Sequence, residues 1–339
     1  MQTLCARSRG ELAEAGIHFP AGTPYDQECM LAGRISAGNT LHLAKYIRNG
    51  HWAAAEKWLR RAADEARALD CDRVLLSSEW LLEALAPDDR MVELTRQLKQ
   101  MDDYSVEFLL VLREPVGQLI SLYKHRAKRG TTGSIDAWVE HGYDLPRRLS
   151  GIRRQVEADG IPLVVRGYGK ENGALESVFF KDWLGVPVPE GSSNQRVNPS
   201  LSLSELVLLR KLNAHHPGLV PYLYDRLLEI PVDKKLEGSE MTDHARQVAV
   251  HTVARHADEW AHWIEMLPPA ERFALPEPGP RPGPEPDALE LSAAQLAVVM
   301  QLLSEALGFR LRMQVLWTWR LRPVLARVKA VLLPGLSRR

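Results

Sequence analysis

The stretch EFLLVLREPVGQLISLYKHRAKRG, Glu107 to Gly130, decides how the rest of the chain is read. An apolar run ends at Arg113, Pro115 follows almost at once, and Ser121 lies eight residues past the arginine. A short Val/Leu-rich run without clean alternation predicts a strand covered on both faces. Pro115 suits the first turn of a helix, where its missing N–H costs nothing. A helix is therefore expected to begin directly after Arg113-Glu114. Its free N–H groups and positive dipole end predict a local anion site. Arg113 adds a planar fork suited to phosphate. Helical side chains lean toward the N-terminus, so Ser121 can point back to that end, and Gly117 leaves the path open. A phosphate monoester gripped by Arg113, Ser121 and the helix start is one reading. The other makes Arg113 a solvated strand end and Ser121 a surface hydroxyl, and spacing alone does not separate them.

Two further apolar runs read as buried strands, DRVLLSSE (Asp72–Glu79) and IPLVVRGY (Ile161–Tyr168), beside VEFLLVLRE (Val106–Glu114). Helical patterns precede, join and follow them. This rhythm predicts an α/β protein with a parallel sheet and helices on both faces. In such sheets ligands bind outside the carboxyl ends of the strands, where Glu79, Arg113 and Tyr168 all fall. From Leu201 to about Leu267 the pattern is helical, with Ser202 or Ser204 as the cap of the first helix. PEPGPRPGPEPD, Pro276 to Asp287, is a Pro/Gly linker. The expected layout is thus an α/β domain over 1–275 (201–275 mostly helical), a linker over 276–287, and a helical basic tail over 288–339.

Composition narrows the classes. Lys and Arg number 43, as do Asp and Glu, so no overall field marks a nucleic-acid binder. Cys5, Cys29 and Cys71 are far apart, which argues against a disulfide framework or a thiolate zinc site and fits a reducing cytoplasm. No apolar run reaches the ~18 residues of a membrane span. The opening MQTLCARSRGELAEAG has no apolar core like that of a signal peptide and reads as an amphipathic helix already under way. The tail from Phe309 mixes Trp317, Trp319 and leucines with Arg310, Arg312, Arg320, Arg322, Arg327 and Lys329. It reads either as a segment lying on an anionic membrane surface or as a helix packed on the domain with a solvated basic edge.

VLREPVGQLISLYKHRAKRG resembles the 3′-phosphate-binding motif of sulfotransferases. There an Arg at a strand end and a Ser eight residues on hold the 3′-phosphate of 3′-phosphoadenosine 5′-phosphosulfate (PAPS). VLLSSEWL resembles the strand-end segment that precedes it in the bacterial and glycan-type branch. NQRVNPSLSLSELVLLRKLN resembles a later Arg-x-Asn-x-Ser segment, and RSRGELAEAGIHFP the helix after the family's first loop. The likeness spans roughly Met1 to Asn213. It implies a P-loop-like sulfotransferase fold, PAPS as co-substrate without a metal, and a hydroxyl acceptor, nearest to a carbohydrate or glycolipid. Arg113 and Ser121 would hold the nucleotide. Arg196 would reach a phosphate or an anionic acceptor, and Tyr168 would stack on adenine. Glu79 would be the general base, with His42 as runner-up.

One signature of the family is missing. Its Gly/Lys/Thr-rich 5′-phosphosulfate loop has no counterpart, no GxxxxGK[ST] occurs, and GYGKENG (Gly167–Gly173) lies after the wrong strand. Two expectations follow: a chain truncated ahead of Met1, or a degenerate, inactive nucleotide-binding or interaction protein. In the family the missing strand lies beside the one ending at Arg113, which would otherwise expose an apolar flank. Plainer readings stand beside each site residue: Glu79 as a first-turn acid, Arg196 as a loop arginine, Tyr168 as a buried strand-end tyrosine, His42 on a helix face. His251, His256 and His262 are spaced by five and six, which does not put them on one helical face, so no metal site is expected.

Overall fold

A computed structural model describes residues 1–33, 36–101, 105–127, 133–168, 175–189, 201–286 and 289–315. In chain order the helices and strands are α1 (Gln2–Arg7), α2 (Arg9–Glu14), β1 (Ile17–His18), α3 (Pro24–Leu31), α4 (Leu41–Arg48), α5 (Trp52–Ala68), β2 (Arg73–Val74), α6 (Glu79–Leu85), α7 (Arg90–Lys99), β3 (Phe108–Arg113), α8 (Pro115–Ala127), α9 (Ile135–His141), α10 (Leu145–Asp159) and β4 (Leu163–Tyr168). A π-helical stretch, Ser177–Trp183, follows. Then come α11 (Leu203–His215), α12 (Val220–Leu228), α13 (Ser239–Ala254), α14 (Ala257–Met266) and α15 (Ala293–Val315). The protein is α/β, and among the described residues both strand pairs are parallel.

The chain divides into two compact units. One comprises Met1–Tyr123, Ser134–Pro199 and His244–Pro284; the other comprises Lys124–Gly133, Ser200–Asp243 and Glu285–Arg339. The units therefore interleave along the sequence. The stretch expected as a linker between the α/β domain and the basic tail, 276–287, straddles a boundary between units, and its Glu285 pairs with Arg210 of α11 inside the second unit.

In the first unit the strands form two separate two-stranded sheets, β1–β2 and β3–β4. One continuous sheet was expected. Strand β1 was not expected at all, because two residues, Ile17 and His18, give no periodicity. The run Asp72–Glu79 pairs as a strand only over Arg73–Val74, and Ser78 then caps α6 by accepting from Trp80 N–H at 3.1 Å. The β1–β2 side is well buried. Cys5, Leu12, Ile17, Phe19, Met30, Leu75 and Phe180 form a cluster, against which Leu109 of β3 also packs. Complete burial of side chains of this size contributes about 1.5–3 kcal/mol each. The π-helical stretch turns both Phe179 and Phe180 into that cluster.

Strand β3 is covered less well. Phe108, Leu109, Leu110 and Val111 are only half-buried and Leu112 alone is fully buried. Among the described residues it pairs with β4 alone. Helix α10 is tied in by Gln155, which accepts from Met91 N–H at 2.7 Å and donates to the Leu85 carbonyl at 2.9 Å. The expected long helix over residues 240–267 is broken at Arg255–His256 into α13 and α14. The opening helix is likewise two short ones, meeting at Ser8.

In the second unit, Ser202 caps α11 through a reciprocal capping box with Glu205, the expected use of that serine. Glu205 and Lys235 form a fully buried pair at 3.2 Å. Gln295 of α15 donates to Glu205 at 2.9 Å and accepts from Leu236 N–H at 3.1 Å. A buried charge pair needs such partners for its remaining lone pairs.

Candidate functional site

Arg113 is the last residue of β3, and its register partner across the parallel ladder is Tyr168, the last residue of β4. Register partners in a sheet present their side chains to the same face. The structure thus sets these two predicted residues side by side at the carboxyl ends of their strands. Both are exposed, Tyr168 at 39%, so the expectation of a buried strand-end tyrosine does not hold. Among the described residues, no side-chain hydrogen bond or ion pair to the Arg113 guanidinium is formed.

The neighbouring arginine shows the contrast. Arg166, two residues before Tyr168 and on the same face, donates through Nε to Glu271 at 2.8 Å and pairs with Asp182 at 3.2 Å. Glu271 also accepts from Gly167 N–H at 2.7 Å. These contacts hold the Arg166 guanidinium above its ordinary range, chiefly through the bond from Glu271. They also lock the end of β4, leaving Tyr168 on a fixed support.

Helix α8 starts at Pro115, as its sequence predicts. Its buried face carries Leu119 and Tyr123, one turn apart, and Tyr123 packs on Trp138 with ring centroids 5.7 Å apart. Ser121 lies on the opposite face and is exposed. Gly117 sits one turn before it, so a line of small side chains runs back from Ser121 toward the helix start.

The helix start itself is a correction. The expected free N–H groups are already taken: the Glu114 carboxylate accepts from Val116 N–H at 2.8 Å and from Gly117 N–H at 2.7 Å. The donors that a phosphate was expected to use hold a resident carboxylate, which satisfies the helix end locally. Gly117 is explained the same way. A Cβ at that position would lie 3.0 Å from Glu114 Oε2, so the glycine makes room for the cap. What remains for an anion at this junction is the Arg113 fork and the Ser121 hydroxyl.

Glu79 is placed elsewhere, beyond the β1–β2 sheet. It does not end a strand; it is the first residue of α6, exposed, in the first turn where the helix dipole favours an acid. The carboxyl end of this sheet is closed by its own hydrogen bonds. Asn39, buried, donates to the Leu75 carbonyl at 2.9 Å and accepts from Ser77 N–H at 2.8 Å. Ser78 Oγ donates to the Ala37 carbonyl at 2.6 Å. Gly38 has φ +83°, and a Cβ there would lie 2.2 Å from the Ser77 carbonyl oxygen, so no other residue fits this approach. His42 is exposed on α4 and lines a shallow hollow of about 200 Å³ with Trp58, Arg61 and Gly22.

Arg196, with Asn198 and Ser200, lies outside the described residues, as do most of GYGKENG and the tail beyond Val315. Among the described residues, no group of three His, Cys, Asp or Glu side chains is placed to hold a metal ion. No described helix is long and apolar enough to cross a membrane. Sequence reasoning missed Glu114 as a cap and Asn39 as a closure. The first was legible, since an acid directly before Pro at N1 is an N-cap signal; the second depends on a contact across 36 residues.

No protein-family model matches the chain, and neither a curated protein nor a solved structure matches it. The functional reading therefore rests on the residues themselves.

Proposed function

We propose that the β3–α8 junction binds the 3′-phosphate of an adenine nucleotide and that the protein is a sulfotransferase of P-loop-like fold using PAPS. One observation carries the reading: an exposed arginine that has no side-chain partner among the described residues ends a parallel strand, beside an exposed tyrosine and one helix turn-pair from an exposed serine. Arg113 supplies the bidentate charge, Ser121 a hydroxyl donor, and Tyr168 a flat face for adenine. Arg196 is a further candidate for the phosphate or an anionic acceptor. The acceptor is a hydroxyl, of a carbohydrate or glycolipid by resemblance, and Glu79 is the candidate to take its proton. In-line positioning and charge stabilisation carry most of such a transfer, as in the phosphoryl analogue.

A second reading keeps the nucleotide and drops the chemistry: a degenerate sulfotransferase-like binding protein. It is favoured by the closed helix start, where Glu114 holds the Val116 and Gly117 N–H groups. Titration calorimetry with 3′-phosphoadenosine 5′-phosphate tests what the two readings share. Arg113→Ala is expected to weaken binding by roughly tenfold to a hundredfold and Ser121→Ala by about threefold to tenfold. Equal binding by Arg113→Ala and the native chain sinks both readings. Radiolabelled PAPS with a glycan panel then separates them: label transfer that Glu79→Gln abolishes supports the enzyme, and binding without transfer supports the degenerate protein.

A further inference from the structure

Strand β4 pairs, among the described residues, with β3 alone. The end of so small a ladder is held by little of its own. Glu271 adds a second hold. This residue stands on a short 3₁₀ turn, Pro269–Glu271, that follows α14, and it reaches β4 across 104 residues of sequence. Its carboxylate accepts from Gly167 N–H at 2.7 Å and from Arg166 Nε at 2.8 Å, and Arg166 Nη2 donates to it as well. The turn is itself held, because Arg272 donates to the Leu267 carbonyl at 3.2 Å and to the Glu265 carbonyl at 2.9 Å. Glu271 is only 7% exposed, so this is a buried charge and not a solvated one.

A buried Arg–Glu pair adds little net stability over apolar side chains of the same volume. Its consequence here is directional. Hydrogen bonds to one carboxylate fix the backbone at Gly167 and the side chain at Arg166, the two residues directly before Tyr168. Arg166 and Tyr168 share a face of the strand, and Arg113 shares it by register. The Arg166 charge is balanced by Glu271 and Asp182. Among the described residues, Arg113 is the arginine of that face without such a partner. A ring that stacks on a base must be oriented before the base arrives, or binding costs that freedom. Glu271 lies beyond Asn213, where the sequence likeness to sulfotransferases ends, so that likeness assigns it no role.

We propose that Glu271 is a positioning residue of the nucleotide site: through Gly167 and Arg166 it sets the orientation of Tyr168, and so the hold on adenine, without touching the ligand. This role presupposes the nucleotide site proposed above. Titration calorimetry with 3′-phosphoadenosine 5′-phosphate on the full chain tests it as a double-mutant cycle. Glu271→Ala is expected to weaken binding by roughly threefold to tenfold. Glu271→Gln keeps an oxygen for the Gly167 N–H and is expected to lose less than about threefold. In a Tyr168→Ala background, Glu271→Ala is expected to cost less than about 1.5-fold, because the ring that it orients is gone. A merely structural role, or an effect of the lost charge, would carry through both backgrounds undiminished. Arg166→Met with Glu271→Leu fills the same space and leaves no charge buried alone. It is expected to show the same loss, and it decides the question where melting shows that Glu271→Ala does not fold. Equal losses in the two backgrounds, or no loss in the native one, overturn the proposal alone, provided that the native chain binds the nucleotide and Arg113→Ala does so more weakly. A native chain that binds no nucleotide overturns both this role and the nucleotide site.

Discussion

The two strand pairs of the first unit differ at their carboxyl ends. At β1–β2 the backbone groups past the strands are satisfied within the protein by Asn39, Ala37 and Ser78, and Gly38 presses against Ser77. At β3–β4 the strands end in Arg113 and Tyr168, exposed and side by side. One end is closed by its own hydrogen bonds; the other ends in an arginine fork. Both satisfy the rule that ligands gather at the carboxyl ends of parallel strands, yet only one has binding groups to spare. A rule about topology selects places, and hydrogen-bond accounting then decides which place is open.

The largest expected effect tests the closed side. Ile17→Ala, in a fully buried strand position, is expected to cost about 2–4 kcal/mol of unfolding free energy, and Leu109→Ala on half-buried β3 clearly less. Denaturant melts of the two variants check this, and equal losses would erase the distinction between the sheets. Next, Asn39→Ala leaves the buried Leu75 carbonyl and the part-buried Ser77 N–H unsatisfied, and is expected to cost about 2–3 kcal/mol. Removing the Arg113 side chain, by contrast, is expected to change stability by under ~0.5 kcal/mol, because it is exposed and has no side-chain partner among the described residues.

Glu114→Ala sharpens the comparison from the open side. Loss of the cap is expected to cost about 1 kcal/mol. It also frees the Val116 and Gly117 N–H groups and removes a negative charge beside Arg113, so affinity for the phosphonucleotide is expected to rise. Calorimetry and melting on the same variant read both signs; an affinity that falls with the stability would mean that the carboxylate supports the ligand.

The smallest effect concerns pH. Burial, with repulsion from Arg255, holds the His256 imidazole below its ordinary range, while Glu259 acts the other way. The unfolded chain therefore takes up this proton first as the pH falls. The contribution to stability is present above the unfolded value of about 6.5 and is lost as the pH falls from there through the lower folded value. His256 is partly exposed, so the expected loss in melting temperature between pH 7.5 and 5.5 is under roughly 2 °C. His256→Gln is expected to flatten that slope.

Much of the local structure was legible in the sequence. β3 and α8 follow from an apolar run and a proline, α11 from its capping serine, α5 and α7 from periodicity. The parallel pairing followed from the strand–helix rhythm. What was not legible is consistent in kind. β1 is too short to carry a period, and its existence depends on Arg73 and Val74 from 56 residues away. Glu79 reads as a strand end until Ser78 turns out to cap a helix. The helix start at α8 reads as an open anion site until Glu114 fills it. Of the residues expected to hold the nucleotide, Arg113 and Tyr168 are neighbours and Ser121 follows on α8; Glu79, expected as the base, lies beyond the other sheet.

By itself, the sequence determined most of the helical segments and the strands β3 and β4, that the strands run parallel, and where the positive charge of the last 34 residues lies. These depend on periodicity, on proline and cap chemistry, and on composition, all local properties. Only the tertiary structure decided that the described strands form two pairs, that the β1–β2 end is closed, that Arg113 has no side-chain partner among the described residues, and that Leu296, Met300 and Leu303 are exposed. Each of those is settled by which distant group satisfies a hydrogen bond or covers an apolar surface, and no short window of sequence contains both partners.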